Sequence, residues 1–124
     1  MDLADELLAQ EALAVAGVSR SGAGFGYKVW RHLQRKGIRV YALNPSAGEI
    51  EGETAYASVG DLPEPVGGVI TVTPPQATEQ VVRDCIVAGV TRVWMQPGSE
   101  SAEAVRLATD GGMKVSTGAC MLLL

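Results

Sequence analysis

The sequence predicts a doubly wound α/β domain, in which helices cover both faces of a parallel sheet to give three layers. The 124 residues suit a single domain, and 47% of them are hydrophobic against 19% charged. Short apolar runs alternate with amphipathic stretches along the chain, as in successive βαβ units. The six aromatic residues are few, so the core must consist mainly of aliphatic side chains.

The first third of the chain predicts a helix, a strand, a turn and a second helix, in that order. Asp2 is a suitable N-cap for a helix to about Gln10. The unbroken apolar run Ala12–Ala16 is typical of a strand buried on both faces. A glycine-rich turn, residues 19–26, leads into the next helix. Apolar residues at helical spacing mark that helix, namely Phe25, Val29, Trp30 and Leu33, and Gly37 ends it.

The middle third predicts further buried strands. Residues 38–43 form the second strand, which Asn44-Pro45 stops. A short edge strand is expected near residues 54–56, followed by one helical turn over 58–62. Residues 68–73 form the next buried strand.

A helix is expected to begin at Thr73-Pro74-Pro75-Gln76. Thr73 would be the N-cap, Pro74 the first helical residue, and Gln76 would close a capping box. The buried stripe of this helix is predicted to be Ala77, Val81, Cys85 and Ala88.

The last third predicts a strand over 92–96, a helix from about Glu100 to Asp110, and a short strand over 113–115. Glu100 and Glu103 suit the first turn of that helix. Right-handed crossovers would arrange the six predicted strands in the order 3-2-1-4-5-6.

Charge and cysteine content narrow the function classes. The net charge is −4 and the ten basic residues are scattered, which argues against a nucleic-acid partner. The acidic N-terminus lacks a long apolar run, so neither a signal peptide nor a membrane anchor is expected. Cys85 is expected to be a buried thiol. A disulfide with Cys120 stays open, but a reduced, cytoplasmic setting is the simpler interpretation.

A ligand is expected where the strand order reverses, beyond the carboxyl ends of the strands. Three predicted loops meet there, namely residues 17–26, 44–45 and 73–75, and the loop at 96–98 lies one strand further along.

The first of these loops matches a Rossmann-like dinucleotide fingerprint. Residues 17–22 read Gly-Val-Ser-Arg-Ser-Gly, with Ser19 in place of the middle glycine. Such loops bring backbone N–H groups to a pyrophosphate at a helix N-terminus. A plain strand-to-helix turn is the alternative. Asn44 stands at the end of the second strand, where NAD sites usually have a carboxylate, which counts against NAD.

Motifs along nearly the whole chain point to one family. They are Val15–Ser19, Tyr27, Val40–Pro45, Val69–Pro75, Ala88–Val90, Val93–Gly98 and Cys120-Met121. In order and spacing these motifs resemble the small stand-alone CoA-binding proteins, which are similar to the N-terminal CoA-binding domain of the succinyl-CoA synthetase alpha subunit. The chain departs from the synthetase at 46–48, where Ser-Ala-Gly replaces a lysine-containing loop. It departs from the stand-alone relatives at Gly118-Ala119, where they have an Asp-Arg pair.

The resemblance implies that the ligand is coenzyme A or an acyl-CoA. Gly17, Ser19 and Arg20 would line its pyrophosphate, with Tyr27 entering the following helix. Asn44 and Pro45 would border the nucleotide, Thr73 and Pro74 would flank its adenine or ribose side, and Gln96 would face the pantetheine.

We expect no catalysis, because the sequence offers no recognisable catalytic set. The single histidine, His32, is expected to face solvent or pack within its helix, and one histidine with two cysteines makes no convincing zinc site. The leading hypothesis is non-catalytic CoA binding. The alternatives are an NAD(P)-binding redox sensor or small oxidoreductase, and an interaction module whose nucleotide site is vestigial. A homodimer and a separate protein partner are both compatible with the sequence.

Overall fold

Seven strands form one sheet in the middle of the computed structural model, which describes residues 2–46 and 48–124. The strands are β1 (Ala12–Ala16), β2 (Arg39–Leu43), β3 (Gly48–Ile50), β4 (Glu53–Tyr56), β5 (Val69–Thr71), β6 (Arg92–Met95) and β7 (Lys114–Ser116). Their order is β3-β4-β2-β1-β5-β6-β7. β3 and β4 pair antiparallel, and the other neighbouring strands pair parallel.

The predicted doubly wound order is confirmed for the six strands that the sequence indicated, because β4-β2-β1-β5-β6-β7 is the order 3-2-1-4-5-6. β3 was missed. It has only three residues, two of them exposed, and so lacks an apolar pattern. The turn between β3 and β4 has positive φ at both Glu51 (51°) and Gly52 (81°), as tight hairpin turns require. Glu51 occupies a position where Asn or Asp is the usual hairpin signal.

Helices cover both faces of the sheet. They are α1 (Leu3–Leu8), α2 (Phe25–Arg35), α3 (Pro75–Ala88) and α4 (Ala102–Asp110), with 3₁₀ turns at Val59–Asp61 and Met121–Leu123. α1, α2 and the C-terminal turn pack on one face, and α3 and α4 pack on the other. β1 contributes to both layers, since Leu13 and Val15 face the first and Ala14 and Ala16 face the second.

The N-terminal parts of α1 and α4 illustrate how local sequence sets helix ends. Asp2 caps α1 as predicted, accepting a hydrogen bond from the Asp5 amide at 2.9 Å. α4 starts at Ala102, with Ser101 as its N-cap, so the expected first-turn position of Glu100 is wrong. The Glu100 carboxylate instead accepts a hydrogen bond from the Gly98 amide, outside the helix.

The predicted start of α3 is also wrong. Pro74 is the N-cap, Pro75 opens the helix, and the capping box expected between Thr73 and Gln76 does not form. The Thr73 hydroxyl instead shares a 2.6 Å hydrogen bond with the hydroxyl of Thr78.

The buried stripe of α3 shares only Cys85 with the predicted one, since its other two residues each lie one position later. Thr78, Val82 and Cys85 are buried. Of the predicted stripe only Cys85 is fully buried, because Ala77 and Val81 line a cavity at the sheet edge and Ala88 is exposed at the helix end.

Candidate functional site

The loop after β1 approaches the neighbouring strand segment closely. Gly17 has φ of +100°, and a Cβ there would lie 2.7 Å from the carbonyl oxygen of Val72, so only glycine fits. Beyond it the chain turns back, since the Gly22 amide donates to the Ser19 carbonyl at 3.2 Å. The Ser19 hydroxyl shares a 2.8 Å hydrogen bond with that of Ser21 and accepts another from the Ser21 amide at 3.2 Å. The serine that replaces the fingerprint glycine therefore organises the loop.

Gly26 is a site residue that the sequence analysis missed. A Cβ on Gly26 would lie 2.1 Å from the carbonyl oxygen of Gly17, far inside any real contact. The fingerprint assigns this close helix–strand packing to its third glycine, which was matched to Gly22. In this chain Gly26 makes that close contact, because the loop extends past residue 22 and α2 begins only at Phe25. A glycine inside the first turn of an otherwise regular helix was the signal that could have revealed it.

The start of α2 provides a positive field beside this loop. Its N-cap is Gly24, so no side chain accepts a hydrogen bond from the first amides of the helix, and the first turn contains no acidic residue. The first N–H groups of a helix have no partners within the helix, and the helix dipole is positive there. A phosphate group would be stabilised at this position.

Asn44 joins the loops after β1 and β2. Its side-chain amide donates to the Val18 carbonyl at 2.9 Å, while its Oδ1 accepts from the Ser46 amide at 2.8 Å. Its backbone amide donates to the Tyr56 carbonyl at 2.8 Å. Asn44 thus holds the loops that border the site, with one hydrogen bond donated and one accepted by its side chain.

A cavity of about 350 Å³ opens between these loops and α3. It is narrower and more enclosed than two larger depressions, which lie beside the C-terminal end of α3 and beside α4. The cavity brings together Gly17, Pro45 and Thr73, three of the predicted site residues. The residues lining the cavity are Ala16, Gly17, Leu43, Pro45, Ala57, Ser58, Val59, Thr73, Ala77, Gln80, Val81 and Asp84.

Tyr27 faces the β3–β4 hairpin and is absent from the cavity lining. Its hydroxyl donates to the Glu51 carboxylate at 2.6 Å, and this hydrogen bond lowers the pKa of Glu51. Arg31 adds ion pairs to Glu51 at 3.4 Å and Glu53 at 2.6 Å, and its guanidinium lies 4.1 Å from the ring centre of Trp30. These contacts fasten the hairpin to α2.

The remaining predicted residues lie around the rim or on the opposite face. Pro74 and Arg20 are exposed in the loops that follow their strands. Gln96 is only 1% exposed and sits on the α2 face of the sheet. Ala47, part of the predicted departure from the synthetase, lies outside the described residues.

Gln96 links β6 to the C-terminal segment. Its Oε1 accepts hydrogen bonds from the indole N–H of Trp94 (3.0 Å) and the amide of Met121 (2.7 Å). Its Nε2 donates to the Cys120 sulfur at 3.3 Å. The Trp94 indole also donates to the Ala119 carbonyl, so the segment that departs from the relatives is anchored here through its backbone.

The titratable groups outside the site have packing explanations. His32 packs within its helix layer: its Nε2 is buried without a partner among the described residues, and desolvation lowers its pKa, aided by the charges of Lys36 and Arg35. Burial raises the pKa of the Cys85 thiol to about 12, and both cysteines are free. Within residues 2–46 and 48–124, no cluster of three or more His, Cys, Asp or Glu side chains is arranged to hold a metal ion.

In the described part of the chain, no helix combines the length and apolar character needed to span a membrane.

Comparison with known families decides what kind of domain this is. The family model described as a CoA binding domain matches residues 11–124, which include the whole sheet and every predicted site residue. The chain belongs to the CoA-binding domain family. The resemblance seen in the sequence motifs is thereby confirmed.

Relatives of this CoA-binding domain include parts of larger enzymes. The alpha subunit of ADP-forming acetate–CoA ligase II from Pyrococcus furiosus is 30% identical over 114 residues, which is 83% of this chain and 25% of that subunit. ADP-forming acetate–CoA ligase I from Archaeoglobus fulgidus is 28% identical, over 94% of this chain and 18% of the ligase. The chain therefore spans about a quarter or less of these two relatives.

Solved structures of similar length also share the fold. A conserved hypothetical protein from Pyrococcus furiosus superposes with a TM-score of 0.84 and 35% identity, covering 91% of this chain and 97% of that one. A Thermus thermophilus protein gives a TM-score of 0.87 at 28% identity, covering 99% and 96% of the two chains.

Proposed function

We propose that this chain binds coenzyme A or an acyl-CoA without catalysing a reaction on it. The observation that carries the proposal is the convergence of three features at one edge of the sheet, in a member of the CoA-binding domain family. These features are the glycine loop at Gly17, the uncapped N-terminus of α2, and the cavity beside α3. The loop and helix would hold the pyrophosphate, with Ser19 near it.

The adenine would occupy the cavity. Its walls are mainly aliphatic, including Leu43, Val59 and Val81, and suit the apolar faces of a base. The cavity also has polar groups for the edge of the base, among them Thr73 and Gln80.

An NAD(P)-dependent function fits the site less well. Nicotinamide dinucleotide sites usually hold the ribose hydroxyls with a carboxylate after the second strand. Here Asn44 occupies that position, and its side-chain amide and carbonyl are committed to Val18 and Ser46.

The non-catalytic part of the proposal follows from where the nucleophiles and bases lie. Cys85 is on the buried side of α3 and its pKa is raised, so its thiol is unreactive at neutral pH. His32 lies in the middle of α2, and its ring packs into the helix layer. Both cysteines are free, which fits a reduced, cytoplasmic setting. A homodimer or a separate protein would be the partner there.

Ligand-dependent melting tests the binding proposal. Saturating CoA should raise the Tm by mass action, and NAD or NADP should raise it weakly or leave it unchanged. Ser19→Leu should abolish the CoA-induced shift, because its side chain would fill the phosphate-binding position. Ala9→Leu, which adds the same side chain at an exposed residue after α1, should retain the shift. A larger shift with NAD than with CoA would contradict the proposal.

Thioester turnover tests the non-catalytic part. The purified chain, incubated with acetyl-CoA and succinyl-CoA, should release no free CoA thiol above the uncatalysed rate, because acyl transfer needs a positioned nucleophile and base. Steady turnover that disappears in Cys120→Ala or His32→Ala would make this protein an enzyme.

A further inference from the structure

Arg20 belongs to the loop after β1, residues 17–26, and its side chain lies beside the start of β3. Its Nε stands 4.0 Å from the point that a Cβ on Gly48, the first residue of β3, would occupy. The Asn44 bond to the Val18 carbonyl holds the same two segments together two residues before Arg20. The Arg20 side chain therefore lies beside the start of the hairpin, at an ordinary contact distance.

Among the described residues, Arg20 is the cation in a loop at this edge that makes no ion pair. Arg31, the nearest basic side chain bonded to the hairpin, is engaged by Glu51 and Glu53. Among the described residues, the basic side chains outside ion pairs are Arg20, Lys28, Arg35, Lys36 and Arg83. Of these, only Arg20 belongs to a loop at the carboxyl edge of the sheet, since the others lie in α2 and α3 or directly after α2.

The position of Arg20 fits a phosphate on the ribose better than one in the pyrophosphate chain. If the pyrophosphate binds at the start of α2 and the base in the cavity, as proposed above, the ribose would lie near the end of β2, where Leu43 lines the cavity. A phosphate on its 2′ or 3′ oxygen would project towards the segment after β2, where dinucleotide folds place an arginine for the same purpose. A guanidinium can hold such a phosphate through two parallel hydrogen bonds.

We infer that Arg20 binds the 3′-phosphate of the CoA ribose and makes the site discriminate CoA from dephospho-CoA. This inference rests on the proposed function and assigns Arg20 to a different phosphate from the pyrophosphate that the family resemblance implied. The backbone N–H groups of the loop and α2 hold the pyrophosphate, and the Arg20 side chain holds the 3′-phosphate.

Calorimetric titration of CoA and dephospho-CoA into three proteins tests the inference. The wild type should bind CoA about 10- to 100-fold more tightly than dephospho-CoA, as expected for hydrogen bonds between charged groups. Arg20→Gln should bind CoA no more tightly than dephospho-CoA, with its affinity for dephospho-CoA unchanged. Arg83→Gln, which removes an exposed arginine from α3, should retain the wild-type preference.

The other possible outcomes distinguish failure of the inference from failure of the proposed function. If Arg20→Gln weakens both ligands equally, Arg20 serves the pyrophosphate, and the inference fails while the proposed function stands. If Arg83→Gln loses the preference as well, the discrimination comes from overall charge and the inference fails. If neither ligand binds the wild type, the proposed function fails and the inference with it. Melting curves of both variants establish that they are folded.

Discussion

Gly26 controls how closely α2 approaches the end of β1. A Cβ at this position would lie only 2.1 Å from the Gly17 carbonyl oxygen, so any side chain would push the helix away from the strand. The N-terminus of α2 would then move away from the loop where the phosphate is expected. The absence of a side chain at Gly26 therefore sets both the packing of α2 on β1 and the position of the helix N-terminus at the proposed ligand site.

Gly26→Ala should destabilise the fold and weaken CoA binding. Alanine favours a helix over glycine by about 1 kcal/mol, but overpacking against backbone typically costs about 1–3 kcal/mol, so we expect a net loss. Chemical denaturation measures the first effect, and calorimetry in the absence of denaturant measures the second. Gly60→Ala is the control, since a Cβ there meets its nearest atom, the Ser58 hydroxyl, at an ordinary 3.7 Å. Equal stability of Gly26→Ala and the wild type would show that the helix adjusts freely.

The backbone conformation of a single residue could be predicted where a motif fixes both spacing and conformation. Gly17 was found because the position after a buried strand in this fingerprint needs a close backbone approach, which the structure shows. Gly26 was missed because the motif has a fixed spacing that places its third glycine at residue 22, whereas α2 begins only at Phe25. Gln96 could not be placed by sequence, since its direction depends on the C-terminal segment that returns to cover β6.

At the level of elements, α3 connects the core to the site. Cys85 packs in the interior, while Ala77 and Val81 on an adjoining strip line the cavity. The sequence pattern merged these two strips into one apolar face, because periodicity reports only which positions are apolar, and the wall of an open cavity can be apolar as well. β3 escaped prediction for the opposite reason: it has little apolar pattern, and it is held by its pairing with β4 and by the contacts of Tyr27 and Arg31 with the hairpin.

The burial of Cys85 predicts a fall in stability at alkaline pH. Its pKa rises from 9.0 to about 12 on folding, so the thiol stays protonated in the native state while the unfolded state loses protons above pH 9. The contribution of the protonated Cys85 thiol to the free energy of unfolding is complete below pH 9. It is lost as the pH rises towards 12, by up to about 1.4 kcal/mol per pH unit. The free energy of unfolding, measured from about pH 8 to 11, should fall more steeply for the wild type than for Cys85→Ala.

Cys120→Ala serves as the control for this comparison, because Cys120 is only partly buried. It should keep the steep wild-type fall. The interpretation of Cys85 would be contradicted if Cys85→Ala and the wild type lost stability in parallel across this range.

For the whole molecule, the sheet order creates the site. β1 lies at the centre, between β2 on one side and β5 on the other, so the loops after β1 and β5 diverge to opposite faces and leave a crevice between them. This topology was predictable, since buried parallel strands and right-handed crossovers admit few arrangements. The cavity depends on side-chain packing between the 58–59 segment and α3, which no sequence pattern specifies.

Amide chemical-shift mapping during a CoA titration tests the central claim most directly. A ligand whose pyrophosphate lies on the loop and whose adenine fills the cavity should perturb the amides of residues 17–26 together with those of Thr73, Ala77 and Val81. The amides around the two larger depressions, those of Leu62, Glu64 and Val66 and those of residues 105–110, should stay unperturbed. Saturable shifts confined to those depressions, or no saturable shifts in the 17–26 loop, would contradict the account.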